Sequence, residues 1–385
     1  MSAGVSSQPR LLQVIQQGQL RGAELFALDL ATELRRRQAW EVSLLSLTRI
    51  DAPFAAAAAD AGMAVVGAGA NGRLRGFEPR LLWRLRTLLA GEHYQIVQAN
   101  GAATLKYLVV ARRMARAPWR LIYRAIGLGS YWRRRAIQRL AYRWLLAQPD
   151  LIIAVGRTVA NDLARTHQID PRRIVVVPNG VRAERLHIRS GERDESRALL
   201  GVAPADVVLL YVGSLTPEKG VGVVLATLAA CRAEGLPARA FILGEGPLLP
   251  VLKQEAERRG MVEAVRFVPP QPRLGPYLAA ADLCLLPSRS EGMPAALIEA
   301  GMAGIPAVAC AVGGVPEIVE DRITGRLVPA DDEQAFVRAV VGLVRDGGLR
   351  GALGDAARHR YRRFEIGAVA EAYNEAYDRL LGRAG

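Results

Sequence analysis

Three cysteines, three lysines and four histidines are all that 385 residues hold of the side chains that most readily bind metals, cross-link or form Schiff bases. Cys231, Cys284 and Cys310 are odd in number, follow no metal or redox spacing and lie in apolar contexts, which excludes a disulfide framework and a zinc ribbon. They read as buried reduced thiols, the state expected of a cytoplasmic protein. Aromatic residues make up only 6% of the chain. No zinc-ligand spacing, aromatic RNA-binding motif or other such module is present, so nucleic acid is not an expected partner. Long hydrophobic runs are missing too. The nearest, residues 54–70, is rich in Ala and Gly and broken by Asp60, and residues 1–10 have no apolar core behind a basic start. Neither a membrane span nor a secretion signal is expected. No repeat with a period of about 20 to 50 residues is evident.

What the chain does have is apolar content, 51% of its residues, enough for two domains of roughly 100 to 200 residues each. It also has positive charge, unevenly spread. Residues 1–181 carry 26 Lys and Arg against 11 Asp and Glu, a net of +15, whereas residues 182–385 carry 25 against 26. An Arg-rich codon bias explains why only Lys106, Lys219 and Lys253 are lysines, but not why one half holds the whole excess. That asymmetry implies an anionic partner for the first half, either a membrane surface or a phosphorylated acceptor.

Short apolar runs alternate with helical patterns along the whole chain, which predicts parallel sheets covered by helices. The strands expected in the first half are residues 11–15, 42–47, 96–99, 121–124, 151–155 and 174–177. In the second half they are residues 207–212, 240–243, 265–268, 283–286, 307–309 and 326–328. Turn signals at Pro178-Asn179-Gly180 and Pro204-Ala205-Asp206 bracket the boundary, with the polar stretch 182–197 between them. The expected fold is therefore α/β, with two Rossmann-like doubly wound parallel-sheet domains. Ligands of such sheets sit at the carboxyl ends of strands, so the two domains are expected to face an interdomain cleft.

The most informative stretch is Ser290-Glu291-Gly292-Met293-Pro294-Ala295-Ala296-Leu297-Ile298-Glu299. It follows the expected strand 283–286 and a turn, and Pro294 suits the first turn of a helix, where its missing N–H is not needed. Glu291 then stands at the helix mouth and Glu299 well inside it. Unpaired N–H groups and a partial positive charge make a helix start attractive to phosphate. Two carboxylates beside it suit a ligand that also carries hydroxyls, such as a sugar nucleotide. The strand-to-helix turn of residues 16–24, with Gly18 and Gly22, is not a dinucleotide fingerprint, because the G-x-G-x-x-G spacing is absent.

Taken together these residues resemble the retaining glycosyltransferases of the GT-B fold, and among them family 4, marked by two glutamates separated by seven residues. The resemblance covers nearly the whole chain and its pieces run in order: Arg21-Gly22-Ala23-Glu24; Val177-Pro178-Asn179-Gly180-Val181; residues 212–220 with Ser214 and Lys219; Leu243-Gly244-Glu245-Gly246-Pro247; residues 290–299; and Gly313-Gly314-Val315-Pro316-Glu317. Phe364, Val369, Ala372, Tyr373, Tyr377 and Leu380 also look like this family's last helix, which crosses back onto the N-terminal domain. The domains implied are residues 1–181 with 366–385, holding the acceptor, and residues 182–365, holding the nucleotide sugar.

Carried over by position, the resemblance implies that Glu291 binds donor sugar hydroxyls and positions the reacting carbon, while Glu299 binds the ribose. The backbone of Gly292, Met293, Pro294, Ala295 and Ala296 and the ammonium of Lys219 would hold the diphosphate. Ser214 would lie beside it, Gly22 would approach the same phosphates from the other domain, and Gly244, Phe267 and Val268 would border the base. Glu291 and Lys219 are thus the expected catalytic residues. The implied reaction moves a sugar from a UDP- or GDP-sugar, a substrate and not a cofactor, to a lipid-linked, polysaccharide or small-molecule acceptor. No metal is expected, since no D-x-D motif stands at a strand end.

The chain departs from the pattern in places. Many relatives carry Arg where Ser214 stands, so one phosphate cation is missing, and Ile126 occupies a position often held by His. Val97-Gln98-Ala99-Asn100 replaces a Val-His-x-His type sequence. His93, His167, His187 and His359 fit no catalytic place and read as surface or structural. Gln98, Asn100 and Arg124 are acceptor-side candidates. Trp132, Ile137, Leu140, Ala141, Trp144 and Leu145, interspersed with Arg133, Arg134, Arg135, Arg139 and Arg143, form a basic amphipathic helix whose apolar stripe serves either the core or an anionic membrane. Residues 80–86 repeat that mixture. The localisation implied is cytoplasmic, with peripheral attachment to the inner face of the plasma membrane. Two other readings stay open: a sugar-nucleotide epimerase of the same fold, and a non-catalytic sugar-nucleotide-binding partner subunit.

Overall fold

The computed structural model describes residues 8–70, 78–90, 92–128, 136–186, 192–271 and 273–383. The chain divides into two compact units, residues 1–180 with 366–385, and residues 181–365.

The first unit is built on a parallel sheet in the order β3-β2-β1-β4-β5-β6-β7. The strands are β1 (Arg10–Ile15), β2 (Glu41–Thr48), β3 (Val65–Ala70), β4 (Ile96–Asn100), β5 (Arg120–Ala125), β6 (Leu151–Ala154) and β7 (Ile174–Val176). A parallel strand covered on both faces must be apolar almost throughout. Strand β1 is so, with Leu11, Leu12, Val14 and Ile15 buried, and it pairs with β2 on one side and β4 on the other. The strand order reverses between β1 and β4. Strand β3 was not among the expected strands, and residues 54–70 divide into the helix Ala52–Asp60 and this edge strand. Its sequence Val-Val-Gly-Ala-Gly-Ala offers little β-branched or aromatic surface, and its pairing with β2 shifts register between Ser46 and Thr48.

The helix Ile366–Leu380 completes this unit. Ile366, Val369, Ala370, Tyr373, Ala376 and Tyr377 lie on one helical face and are buried in the same core as Phe26, Leu30 and Trp40. Polar contacts fix its register: Trp40 Nε1 donates to Asn374 Oδ1 at 2.7 Å, Arg37 Nη2 donates to the Gly367 carbonyl at 2.8 Å, and Arg37 also pairs with Glu371.

The second unit carries the sheet β10-β9-β8-β11-β12-β13, made of β8 (Val207–Val212), β9 (Ala238–Leu243), β10 (Val265–Val268), β11 (Leu283–Leu286), β12 (Ala307–Cys310) and β13 (Gly325–Val328). Here the order reverses between β8 and β11. The polar stretch 182–197, read from sequence as a boundary segment, is partly structural in this unit. Its helix Glu192–Leu199 is anchored by Arg197, whose buried guanidinium donates to the Ala280 and Ala203 carbonyls at 3.1 and 2.8 Å, and by Arg193, which pairs with Asp282 at 2.7 Å. All three cysteines are free and buried. Burial pushes the Cys284 thiol up to about 12 and those of Cys231 and Cys310 up to about 11. Among the described residues no helix is long and apolar enough to cross a membrane.

Candidate functional site

In the second unit the motifs converge on the point where the strand order reverses, the place at which doubly wound sheets bind ligands. Lys219 lies in the loop after β8, and Glu291 in the loop after the neighbouring β11. The Lys219 ammonium donates to Glu291 Oε1 at 2.7 Å, with side-chain exposures of 22% and 7%. The two loops are also joined through their backbones, because the Arg289 N–H donates to the Glu218 carbonyl at 2.8 Å. Gly220 makes this closeness feasible: its φ is +62°, and a Cβ there would overlap the Pro287 carbonyl oxygen.

A third loop, after β12, supports Glu291 from behind. Gly313 has φ +54°, and a Cβ would strike the Glu291 carbonyl oxygen, while the Gly314 N–H donates to the Gly292 carbonyl at 2.8 Å. The Gly313-Gly314-Val315-Pro316-Glu317 motif therefore braces the backbone of the loop that carries Glu291. The helix that follows runs from Ala295 to Met302, with Pro294 as its N-cap, one place ahead of the first turn expected from sequence. Glu299 stands in its second turn, near enough to β11 for its charge to act on Cys284.

The loop after β8 is tied to that after β9. Leu215 N–H donates to the Glu245 carbonyl at 2.8 Å, the Gly244 N–H donates to the Val268 carbonyl at 2.9 Å, and Tyr211, buried at the end of β8, donates its hydroxyl to the Ser214 carbonyl at 2.9 Å. Ser214 itself is exposed. Ser214, Lys219, Gly244, Phe267, Val268, Glu291, the segment 292–296 and Glu299 thus all stand at one edge of one sheet. Among the described residues no three His, Cys, Asp or Glu side chains come together in a way that could hold a metal ion.

The first unit shows a different kind of site. Gly22 opens the helix Gly22–Arg36, is exposed, and has nothing within 4 Å of where a Cβ would be; Gly18, in contrast, is packed against Ile50. Gln98, Asn100 and Arg124 do not line a surface. Asn100 Nδ2 donates to Gln13 Oε1 at 2.8 Å, Gln98 Nε2 donates to the same oxygen at 3.0 Å, and Tyr377 donates to Gln98 Oε1 at 2.7 Å. Arg124, fully buried, donates to Asn179 Oδ1 at 2.5 Å and lies 3.8 Å over the Phe26 ring. These three acceptor-side candidates are interior residues, Gln98 and Asn100 bonded to Gln13 and Arg124 to Asn179. The signal for this lay in the C-terminal helix, whose Tyr373 and Tyr377 need polar partners once buried.

His167 is buried edge-on against Tyr142 at 5.0 Å, and His93 and His359 are exposed, whereas His187 lies outside the described residues. The basic helix is described from Ala136 to Leu146; Trp132, Arg133, Arg134 and Arg135 lie outside the described residues. Tyr142 and Leu146 are buried, while of the stripe expected from sequence Leu140 and Trp144 are 69% and 48% exposed, Ala141 is exposed and Leu145 half-buried. Arg113 lies 5.0 Å over the Trp144 ring. On the helix Pro79–Ala90, Leu81, Leu85 and Leu89 are buried and Trp83 is 63% exposed.

Comparison with known proteins gives the same picture for both units. Residues 20–185 match the Glycosyltransferase Family 4 model and residues 206–346 the Glycosyl transferases group 1 model. The D-inositol 3-phosphate glycosyltransferase of Mycobacterium marinum is 35% identical over 240 residues, 61% of this chain and 51% of the relative. That of Salinispora arenicola is 33% identical over 252 residues, 60% and 56% of the two chains. The match therefore spans about half the length of these relatives. Among solved structures, Anabaena Alr3699/HepE in complex with UDP and glucose superposes with a TM-score of 0.83 at 21% identity, over 96% of this chain and 99% of that one. Sucrose-phosphate synthase from Thermosynechococcus elongatus gives 0.83 at 18%, over 98% and 100%. At such identities the superpositions speak for the fold alone. With two doubly wound sheets, the ordered motifs at the reversal point of the second and a family match across each unit, the chain belongs to the GT-B glycosyltransferases of family 4.

Proposed function

We propose that this protein transfers a sugar, with retention of anomeric configuration, from a UDP- or GDP-sugar to a hydroxyl of a lipid-linked, polysaccharide or small-molecule acceptor. The observation that carries the reading is the 2.7 Å contact between Lys219 and Glu291 at the reversal point of the second sheet. In this reading Glu291 takes hydroxyls of the transferred sugar and Glu299 those of the ribose. Lys219 is shared between Glu291 and the diphosphate, and Gly244, Phe267 and Val268 border the base.

Cleavage breaks the bond between the anomeric carbon and the β-phosphate oxygen, and the electron pair leaves with the phosphate. Fixed positive charge aimed at that oxygen is the main lever for lowering such a barrier. Lys219 supplies one full charge and the start of the helix Ala295–Met302 a partial one. Pro294 has no N–H to give, so the backbone donors are those of Gly292, Met293, Ala295 and Ala296. The acceptor oxygen attacks from the same face, and its proton passes to the departing phosphate oxygen. No protein carboxylate acts as nucleophile and no metal enters the scheme. UDP-glucose is the first donor to test, since HepE has been solved in complex with it. A phosphorylated acceptor suits the net +15 of residues 1–181 and the likeness to the D-inositol 3-phosphate glycosyltransferases.

The same reading includes attachment to the inner face of the plasma membrane. Trp83, Leu88, Met114, Leu140 and Trp144 are exposed on three helices of the first unit that pack in succession, Pro79–Ala90, Ala102–Ala115 and Ala136–Leu146, and exposed Arg80, Arg86, Arg139 and Arg143 accompany them. Aromatic and aliphatic side chains set among arginines suit an anionic lipid interface.

The test is a panel of nucleotide sugars, incubated with lipid-phosphate and soluble acceptors and read by mass spectrometry. A product heavier by one sugar, with the donor's anomeric configuration, is expected. An epimerised donor formed without any acceptor, or nucleotide binding with no release of nucleotide from any donor, would overturn the reading.

A further inference from the structure

The loop after β8 carries a backbone donor that none of the roles above uses. Tyr211, the last residue but one of β8, is fully buried, and its hydroxyl donates to the Ser214 carbonyl at 2.9 Å. The loop closes tightly over that hydroxyl, since a Cβ on Gly213 would come within 2.8 Å of its oxygen. Burial, with the charges of Glu291 and Glu218, pushes the Tyr211 hydroxyl well above its ordinary range, so it keeps the proton that it donates.

The peptide groups on both sides of Ser214 are fixed. On the carboxyl side, Tyr211 holds the Ser214 carbonyl, and the Leu215 N–H at the other end of the same peptide donates to the Glu245 carbonyl at 2.8 Å. On the amino side, a Cβ on Gly244 would lie 1.8 Å from the Gly213 carbonyl oxygen and 2.9 Å from the carbonyl carbon, so this carbonyl points straight at the loop after β9. The Gly213–Ser214 peptide is trans, which sets its N–H opposite its carbonyl. The Ser214 N–H therefore points away from the loop after β9. The neighbour of β8 on the other side is β11, whose loop carries Glu291. Ser214 is exposed, and among the described residues its N–H has no protein acceptor.

An N–H whose direction is set before a ligand arrives can meet the charge of a phosphate without reorganising. We propose that the Ser214 N–H donates to the diphosphate of the nucleotide sugar, beside Lys219, and that Tyr211 is the positioning residue that holds it in line. The assignment rests on the transferase reading. A fixed neutral dipole then stands where many relatives carry a guanidinium.

The test compares UDP and GDP with their phosphate-free nucleosides, using the full chain. In wild type, the Ser214 amide hydrogen followed by NMR should exchange about tenfold more slowly with saturating UDP or GDP, and within about twofold of the free rate with uridine or guanosine. Tyr211→Phe should weaken binding of the same nucleotide by about tenfold and leave its nucleoside within about twofold. A hydroxyl that only held the sheet together would weaken both alike. If that variant does not fold, Ser214→Pro, which removes the N–H at an exposed position, should show the same split between nucleotide and nucleoside. An unprotected Ser214 amide, or equal losses for nucleotide and nucleoside, would overturn the proposal. Protection by nucleotide with no transfer from any nucleotide sugar would count against the transferase reading alone, because the exchange data still assign Ser214 to the diphosphate. No binding of either nucleotide would overturn both.

Discussion

Lys219 and Glu291, 72 residues apart in sequence, meet at 2.7 Å because their loops follow β8 and β11, the two strands between which the second sheet changes direction. The carboxylate is held by one ammonium, and its loop is tied down by the Gly314 N–H on the Gly292 carbonyl, so neither partner has much freedom. The pair is thus fixed before a donor arrives, as electrostatic catalysis requires.

Replacing either member should remove turnover without removing the fold. Lys219→Ala and Glu291→Gln are each expected to lower nucleotide release by ~10²- to 10³-fold, the usual effect of deleting one preorganised group at a developing charge. Steady-state assays paired with thermal melts test this; near-normal turnover in either variant would count against the assignment.

Ser214 stands where many relatives place an arginine, and Tyr211 already holds its carbonyl at 2.9 Å. Ser214→Arg should therefore add a bidentate phosphate donor to a loop that does not need to move, tightening UDP by about tenfold. Calorimetric titration of UDP would show it, and weaker binding in the variant would mean that the loop points elsewhere.

Tyr377 offers a control that separates stability from chemistry. Its hydroxyl donates to Gln98 Oε1 at 2.7 Å and accepts from Gln13 Nε2 at 3.2 Å. Tyr377→Phe leaves buried amide groups short of a partner, at a cost of about 1 to 3 kcal/mol in denaturant unfolding. UDP affinity should stay within about twofold, because donor contacts are assigned to the other unit.

The exposed tryptophans make a separate prediction. Sedimentation with anionic vesicles is expected to fall several-fold for Trp83→Ser combined with Trp144→Ser, and wild-type binding should weaken with salt as a ~10 Å screening length at 0.1 M implies. Equal recovery on neutral and anionic vesicles would dismiss the membrane surface.

Much of this was legible because a buried parallel strand can be written in few ways. Residues 207–212 and 283–286 are apolar runs whose bounds match the observed strands, and the Val-Arg-Phe-Val of residues 265–268 matches too. Strand β3 was not legible, since its glycines and alanines carry no strand signal, and neither was the structural use of Arg193 and Arg197, whose charge suggests solvent until Asp282 and the Ala280 carbonyl are seen beside them. The Lys219, Glu291 and Gly313 loops could be named from sequence because each motif is local; their meeting is a property of strand order. The burial of Gln98, Asn100 and Arg124 was not legible for the converse reason. Polar residues at or near strand ends look like ligand contacts, and only the fold shows Gln98 and Asn100 set against Gln13 and Tyr377 and Arg124 against Asn179.

That last helix also sets an order of events during synthesis. The second unit is one continuous stretch, residues 181–365, whereas the first needs residues 366–385 before its core is whole. A chain emerging from the ribosome can finish its second unit while the first, though made earlier, still waits with Phe26, Trp40 and Gln98 uncovered. A nascent chain arrested once residue 365 is clear of the tunnel should show a protease-resistant second unit and a labile first one, the reverse of the usual N-terminal-first sequence. Resistance of both would mean that the helix seals a unit already folded.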